Sequence, residues 1–136
     1  MSRQTMNEES AKQAVAVAKA FVETFNAQDH ERQAATLNYP HIRFANGRFA
    51  RIENAESFIA GSRRGEAALR DEGWHHSVLA SIQVVHAGAD KVHLTLRNDR
   101  CRADGTVYHT FDTFWIATLV DGHWGIQFRS SFLHAE

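Results

Sequence analysis

Arg97 and Asp112 are the two residues whose types and spacing point most directly to chemistry. Each lies in a β-rich run near the end of the chain, and the dipeptide Asp104-Gly105 joins the two runs. Asp-Gly between such runs favours a two-residue hairpin turn, because both central residues of that turn need a positive φ. The register then places Arg97 opposite Asp112, with Cβ atoms about 5 Å apart. Inside a pocket, Arg97 could orient a carboxylate or enolate while Asp112 acts as acid or base; elsewhere the two would form a structural ion pair or a dimer contact.

A second turn, Asp121-Gly122, extends this register to the last strand. It predicts Asp112 opposite Ser131 and Phe114 opposite Arg129, and a slip of one residue would reverse every side chain. One predicted face therefore carries His93, Thr95, Arg97, Asp112, Phe114, Gln127, Arg129 and Ser131, and the other carries Leu94, Leu96, Phe111, Trp115, Leu119, Trp124, Ile126 and Phe128. We expect Phe114, Gln127, Arg129 and Ser131 to contact an anionic or oxygen-rich ligand, or else to serve as edge solvation or a dimer contact.

Histidine supplies the other candidates, since its side chain titrates near neutrality. His41 is the best acid or base by position, and Tyr39 lies two residues earlier on the same predicted strand face, where it could hydrogen-bond a ligand oxygen. His76 could border the pocket. His75-His76 does not predict a metal pair, because adjacent strand residues point to opposite faces. No spacing typical of zinc or non-haem iron is present, so we expect no metal and no cofactor.

The remaining pattern predicts helices first and strands afterwards. Apolar residues spaced as on one helix face predict a first helix over about 8–26, capped by Asn7 or Ser10, and Asp29 is a plausible cap for a second helix ending near Leu37. A hairpin follows, with strands 41–45 and 48–52 around Asn46-Gly47, and Asn54 could cap a third helix. Gly61 weakens that helix, so residues 62–73 are expected to form a mobile loop, with or without a helical turn around Ala67. Strands over 74–86 and 91–102 complete an antiparallel meander, and the order indicates an α+β domain.

The composition of the chain limits the kinds of protein and partner that it can represent. It has 136 residues, 43% of them hydrophobic, which suffices for one domain over 1–136 with its own core. The formal net charge of −1 gives no electrostatic footprint for nucleic acid or an anionic membrane. No long apolar run and no secretory signal is visible, and the single cysteine excludes an intrachain disulfide. We therefore expect a cytoplasmic protein without a nucleic-acid or membrane partner.

The element order resembles the nuclear transport factor two-like superfamily, which includes ketosteroid isomerase, SnoaL-like cyclases, limonene epoxide hydrolase and the small subunits of ring-hydroxylating dioxygenases. The carrying motifs are Phe21-Val22-x-x-Phe25-Asn26-Ala27-x-Asp29, Phe111-Asp112-x-Phe114 and Phe128-Arg129-Ser130-Ser131-Phe132. The resemblance implies a cystatin-like cone, in which a curved mixed or antiparallel sheet wraps around N-terminal helices and encloses a pocket. It also implies a homodimer through the sheet.

The catalytic residues of these relatives transfer only in part. The isomerase tyrosine falls at Phe21 and its base aspartate at about Ala45, while its second acid is retained as Asp112. The epoxide hydrolase motif resembles Arg97-Asn98-Asp99, but its second acid falls at Ser130. Hydrophobicity alone would put the leucine and tryptophan face against the helices and Asp112 outside, whereas the resemblance puts Asp112 inside; we expect Asp112 inside.

Two functions follow from this sequence. The first is a small-molecule-binding SnoaL-like domain that performs cofactor-free isomerisation, cyclisation or dehydration on a small organic substrate. In that case Asp112 would be the acid or base, Arg97 and Arg129 would stabilise charge, and His41 or Tyr39 would donate a second proton. The alternative is a non-enzymatic ligand-binding or assembly domain like the dioxygenase small subunits.

Overall fold

The computed structural model describes residues 2–133, which form three helices and one six-stranded sheet. The helices are α1 Arg3–Asn26, α2 His30–Ala35 and α3 Ala55–Asp71; the strands are β1 Leu37–Ala45, β2 Arg48–Ile52, β3 His76–Ala87, β4 Lys91–Cys101, β5 Val107–Val120 and β6 His123–Ser131. Over these residues the strand order is β2-β1-β6-β5-β4-β3; β1 and β6 are parallel, and the other neighbouring strands are antiparallel. This curved, open mixed sheet with helices on one face confirms the predicted α+β class.

Helix α1 begins earlier than its apolar pattern predicts. Ser2 is the N-cap, because its hydroxyl accepts a hydrogen bond from the backbone N–H of Thr5 at 3.1 Å. Ser10, a predicted cap, lies inside the helix and donates its hydroxyl to the carbonyl of Met6 at 3.0 Å. The predicted apolar stripe is confirmed, and its buried members are Ala14, Ala18, Phe21 and Val22.

Helix α3 corrects the predicted loop over residues 62–73. Asn54 caps it as expected, with Oδ1 accepting the N–H of Ser57 at 2.9 Å, but the helix continues to Asp71. Gly61 and Gly65 are helical despite a cost of about 1 kcal/mol each relative to alanine. Tertiary contact outweighs that propensity, since Phe58 is buried and Glu66 bonds to His30 of α2 at 2.5 Å.

The small hairpin is confirmed in register but begins sooner. Phe44 pairs with Phe49, and their rings lie 4.2 Å apart in an edge-to-face arrangement. Strand β1 starts at Leu37 rather than at residue 41. Its first residues lie against β6 so closely that a Cβ on Gly125 would approach the carbonyl carbon of Leu37 to 2.6 Å.

The helices pack on the apolar side of the sheet. Buried residues of its inner face include Val92, Leu94, Leu96, Trp115, Ala117 and Ile126. Trp115 meets Phe21 of α1 edge-to-face at 5.0 Å. The hydrophobic pattern therefore decides which face the helices cover, and the expectation that Asp112 lies inside is wrong. Within residues 2–133, no helix combines the length and apolar composition needed to cross a bilayer.

Candidate functional site

A cavity of about 470 Å³ lies between the helices and one end of the inner sheet face. Its apolar walls include Phe21, Phe25, Phe58, Leu69, Phe111 and Trp115. Its polar lining includes Arg43, Arg100, Arg129, His30, Glu66 and Asn98. A volume of about 300–1,000 Å³ with apolar walls and a few converging polar groups is typical of small-molecule sites.

A β-bulge in β6 brings Arg129 into this cavity. Ala117 pairs with Ile126 and Ile116 with Phe128, so Gln127 is the extra residue. Beyond it the register shifts by one, and Arg129 lies opposite Trp115 on the inner face. The predicted pairs of Asp112 with Ser131 and of Phe114 with Arg129 are therefore wrong.

Arg129 is held in place by two contacts. Its Nε donates to Nε2 of His41 at 3.0 Å, and its guanidinium lies 4.8 Å from the ring centre of Phe21. The side chain lies deep among protein atoms, so its remaining accessible surface faces the cavity. Burial, and then the charge of Arg43, lower the pKa of Arg129 to about 9. Arg129 thus carries its charge at neutral pH in a poorly solvated position.

His41 orients Arg129 and does not reach the cavity. The residue has no accessible surface, and its Nδ1 donates to the carbonyl of Ile126 at 2.9 Å. That bond leaves the Nε2 lone pair to accept from Arg129. Burial, followed by the charge of Arg129, lowers the pKa of His41 to about 3, so the ring is neutral across the physiological range. Its predicted acid–base role is not supported by this position.

Two further arginines line the same cavity. Arg43 pairs with Arg129 in the parallel β1–β6 register, and burial followed by the charge of Arg100 lowers its pKa. Arg100 is partly compensated, because its Nη1 donates to Oε1 of Glu72 at 2.7 Å. Neither Arg43 nor Arg129 forms an ion pair with any carboxylate of the described chain. The cavity is therefore electropositive at its sheet wall.

The predicted pair of Arg97 and Asp112 forms on the other side of the sheet. Their register is confirmed, and Nε of Arg97 donates to Oδ1 of Asp112 at 3.0 Å. That hydrogen bond raises the pKa of Arg97. The side chains are 57% and 62% exposed, and neither residue lines the cavity. The expectation that this pair is enclosed is wrong. Side chains alternate between the two faces of a strand, so Arg97 points away from the face of the buried leucines in β4, and Asp112 points away from the face of Trp115.

Of the other predicted contact residues, some line the cavity and others lie outside it. Ser131 lines the cavity, and its hydroxyl lies 2.7 Å from that of Thr113. Tyr39, outside the lining, donates its hydroxyl to the carbonyl of Ala34 at 2.8 Å, and burial raises its pKa to about 12. Gln127 fills the bulge by donating to the carbonyl of Pro40 at 3.2 Å.

Phe114 and His76 also lie away from the cavity lining. Phe114 lies on the outer face, where its ring centre is 5.7 Å from that of His93. His76 begins β3, and its Nδ1 lies 3.0 Å from that of His75. His75 precedes the strand, so the argument that strand alternation separates these two side chains is wrong. Residues 2–133 hold no group of three or more histidine, cysteine or acidic side chains placed to bind a metal ion.

Several polar residues of the cavity were not predicted from the sequence, although strand alternation points to some of them. Asn98 and Arg100 continue the inner row of Leu94 and Leu96 in β4. Asn98 is 7% exposed, and its amide oxygen accepts no hydrogen bond within the described residues. Such an orphaned buried acceptor is unusual in a folded protein.

Another missed pair, His30 and Glu66, joins α2 to α3 beside the cavity. Nε2 of His30 bonds to Oε1 of Glu66 at 2.5 Å, and this bond is the main reason that the pKa of Glu66 is lowered. Nδ1 of His30 is buried and has no partner in the described part of the chain. No local sequence signal links the two residues, because the contact spans 36 positions.

Comparison with known proteins agrees with this architecture. A family model described as NTF2-like protein (DUF6841) matches residues 9–128. No curated protein matches the sequence.

Solved structures share the fold at low sequence identity. A protein of unknown function with a cystatin-like fold from Nostoc punctiforme superposes with a TM-score of 0.74 at 12% identity, over 93% of this chain and 92% of that one. A ketosteroid isomerase-like protein from Erwinia carotovora atroseptica gives 0.70 at 19% identity, over 96% and 99%. The protein Aln2 from a Streptomyces species gives 0.71 at 19% identity, over 92% and 91%. At such identities the similarity is one of fold alone.

Proposed function

Since the chain belongs to the NTF2-like protein family DUF6841, we propose that it binds a small organic molecule with an acidic group in the cavity between helices and sheet. The family supplies the fold, and the chemistry of the ligand follows from the cavity walls. Aromatic side chains would pack on the apolar body of the ligand, and the arginines would bind its acidic group.

One observation carries this proposal: Arg129 and Arg43 direct positive charge into the cavity without a carboxylate partner among the described residues. Buried charges in proteins are usually paired or hydrogen-bonded, because an isolated one costs several kcal/mol. A bound carboxylate, sulfonate or phosphate would supply the missing partner.

A fluorescence titration with two naphthalene compounds of similar shape tests the proposal. The anion 1-naphthalenesulfonate should bind, with an affinity that falls as salt is raised, and the neutral 1-naphthol should bind at least tenfold more weakly. Equal affinity for the two compounds, or binding of neither, would refute an anion site.

Acid–base turnover of the bound anion is the second candidate, and the unpartnered Nδ1 of His30 favours it. A carboxylate on one ring nitrogen of a histidine can make the other nitrogen a better base. The protein should then accelerate deuterium exchange at the methylene carbon of phenylpyruvate in D2O, and His30→Gln should abolish that acceleration while leaving affinity unchanged. Exchange at the uncatalysed rate would favour the alternative, a non-enzymatic ligand-binding or assembly domain.

We also propose a homodimer through the outer sheet face. Ile42, Ile116 and Phe128 adjoin in register there, beside Phe114. A contiguous apolar patch of this kind is a common subunit contact. In such a dimer Arg97 and Asp112 would lie in or beside the interface, and their catalytic role stays a prediction.

A further inference from the structure

The charge balance of the cavity narrows the class of ligand beyond a simple acid. Arg43 and Arg129 are register partners in adjacent parallel strands, which lie about 4.8 Å apart. Both side chains line the cavity, and the charge of Arg43 disfavours the charged form of Arg129. Two like charges this close, and partly removed from water, are unfavourable unless something between them carries negative charge.

The third arginine of the sheet wall adds less to this excess. Arg100 donates to the carboxylate of Glu72, which partly neutralises its charge. Arg64 lies on exposed surface of α3, where water solvates it. His41, Tyr39 and the Glu66 carboxylate are each bonded to another group of the described chain. Two positive charges therefore remain at the sheet wall without compensation.

The unused hydrogen-bond donors show how a ligand would meet these charges. Nε of Arg129 is occupied by His41, so only its two terminal nitrogens remain available. Arg43 makes no side-chain hydrogen bond within residues 2–133. Each guanidinium can therefore offer at least two N–H groups, and a group with three or four oxygens could accept from both at once.

We propose that the natural ligand carries a dianionic head group, either an organic phosphate monoester or a dicarboxylate, which binds across Arg43 and Arg129. This inference rests on the proposed function, because it specifies the charge of the acid that the cavity takes. The body of the ligand lies against Phe111 and Trp115, and the orphaned amide oxygen of Asn98 calls for a hydroxyl or amine on that body.

Naphthalene compounds that differ only in the head group test the charge requirement. 1-Naphthyl phosphate, naphthalene-2,3-dicarboxylate and 1-naphthalenesulfonate are titrated calorimetrically into the full-length protein at constant ionic strength. At pH 7.5 the phosphate, the dicarboxylate or both should bind at least tenfold more tightly than the sulfonate, because the second negative charge strengthens the hydrogen bonds from both guanidinium groups. The dianion that binds more tightly shows whether the head group of the natural ligand is a phosphate monoester or a dicarboxylate.

The pH dependence of the phosphate gives a second, independent measure. Its second ionisation has a pKa of about 6, so its affinity should fall severalfold between pH 7.5 and 5. The sulfonate keeps one charge throughout and corrects for any change in His30, Glu66 or other cavity groups. Arg43→Gln should reduce the preference for phosphate over sulfonate to less than threefold, whereas Lys12→Gln, at an exposed position of α1, should leave it intact.

The outcomes separate the two proposals. If the sulfonate binds as tightly as both dianions, the head group is a monoanion and this inference is overturned while the anion site stands. If none of the compounds binds, the proposed function itself fails. If the preference survives Arg43→Gln, the second charge is recognised elsewhere, and the placement across Arg43 and Arg129 is wrong.

Discussion

Arg129 and His41 form a hydrogen bond of 3.0 Å in which the neutral imidazole is the acceptor. The donor of that ring is used by the carbonyl of Ile126, so the tautomer and the direction of the guanidinium are fixed together. His41 is therefore a positioning residue, and the cation that it positions is the group expected to meet the ligand.

Replacing Arg129 should separate binding from stability. Arg129→Gln is expected to weaken 1-naphthalenesulfonate binding at least 30-fold, because loss of one partner of a buried charge pair costs about 2 kcal/mol or more. Its urea midpoint should equal or exceed that of the wild type, since an uncompensated buried charge is removed. Arg97→Gln on the outer face is the matched control and should bind normally; equal losses in both variants would contradict the assignment.

His41 should make stability depend on pH. Its pKa is about 3 in the folded chain and about 6.5 in the unfolded one, so the unfolded chain binds one more proton between these values. Unfolding free energy should therefore fall as pH falls, by about 2 kcal/mol between pH 7 and 5 from this residue alone. Urea unfolding of His41→Gln should show a shallower decline by that amount. Parallel pH profiles for the two proteins would show that His41 is not the cause.

Glu72 should weaken anion binding by neutralising Arg100. Glu72→Gln is expected to raise the affinity for 1-naphthyl phosphate roughly two- to fivefold, because it leaves a third cation at the cavity wall. The gain should shrink in 0.5 M salt. Glu9→Gln removes the same charge from an exposed site on α1 and should have no effect. A decrease in affinity would mean that Glu72 supports the cavity more than its charge opposes the ligand.

Replacement of two glycines by alanine should change the free energy of unfolding in opposite directions. Gly125→Ala would force a Cβ against backbone atoms of Leu37 and Asn38, at 2.6 and 2.7 Å, and should destabilise the fold by about 2 kcal/mol or more. Gly65→Ala meets no atom within 4 Å in the middle of α3 and should stabilise it by about 0.5–1 kcal/mol. Urea denaturation measures both. A neutral Gly125→Ala would show that β1 and β6 can move apart.

The outer sheet face should control assembly. Sedimentation equilibrium is expected to give a dimer for the wild type, and Arg97→Glu should weaken it by placing like charges at Arg97 and Asp112. Ligand affinity should be unchanged, because the pair lies outside the cavity. Arg63→Glu, on an exposed position of α3, supplies the control. A monomeric wild type would remove the dimer proposal.

Local rules recovered much of the fold from the sequence. The pairing of Arg97 with Asp112 and that of Phe44 with Phe49 both followed from counting outward from Asp-Gly or Asn-Gly turns. Hairpin registers are encoded within about 20 residues, so a single sequence can reveal them. The register of β6 was likewise correct from Val120 and His123 as far as Ile126.

The site was harder to predict because distant contacts place it. The bulge at Gln127 lies in β6, between β5 and the parallel strand β1, and the register of β1 with β6 also shifts. No residue near Gln127 in the sequence indicates a bulge. Arg43 could have been found by continuing the inner row of Tyr39 and His41 two residues further. The low helix propensity of Gly61 favours the end of a helix there, but α3 continues beyond Gly61 because Phe58 packs in the core.

The bulge at Gln127 decides which face of the sheet holds the cation. If the same amino acids paired without a bulge, Phe128 would lie opposite Trp115 on the inner face and Arg129 opposite Phe114 on the outer face. Deletion of Gln127 would have no such effect, because Phe128 would still pair with Ile116 and Arg129 with Trp115. Homologues that lack one residue at this point should therefore still present the aligned arginine to the interior.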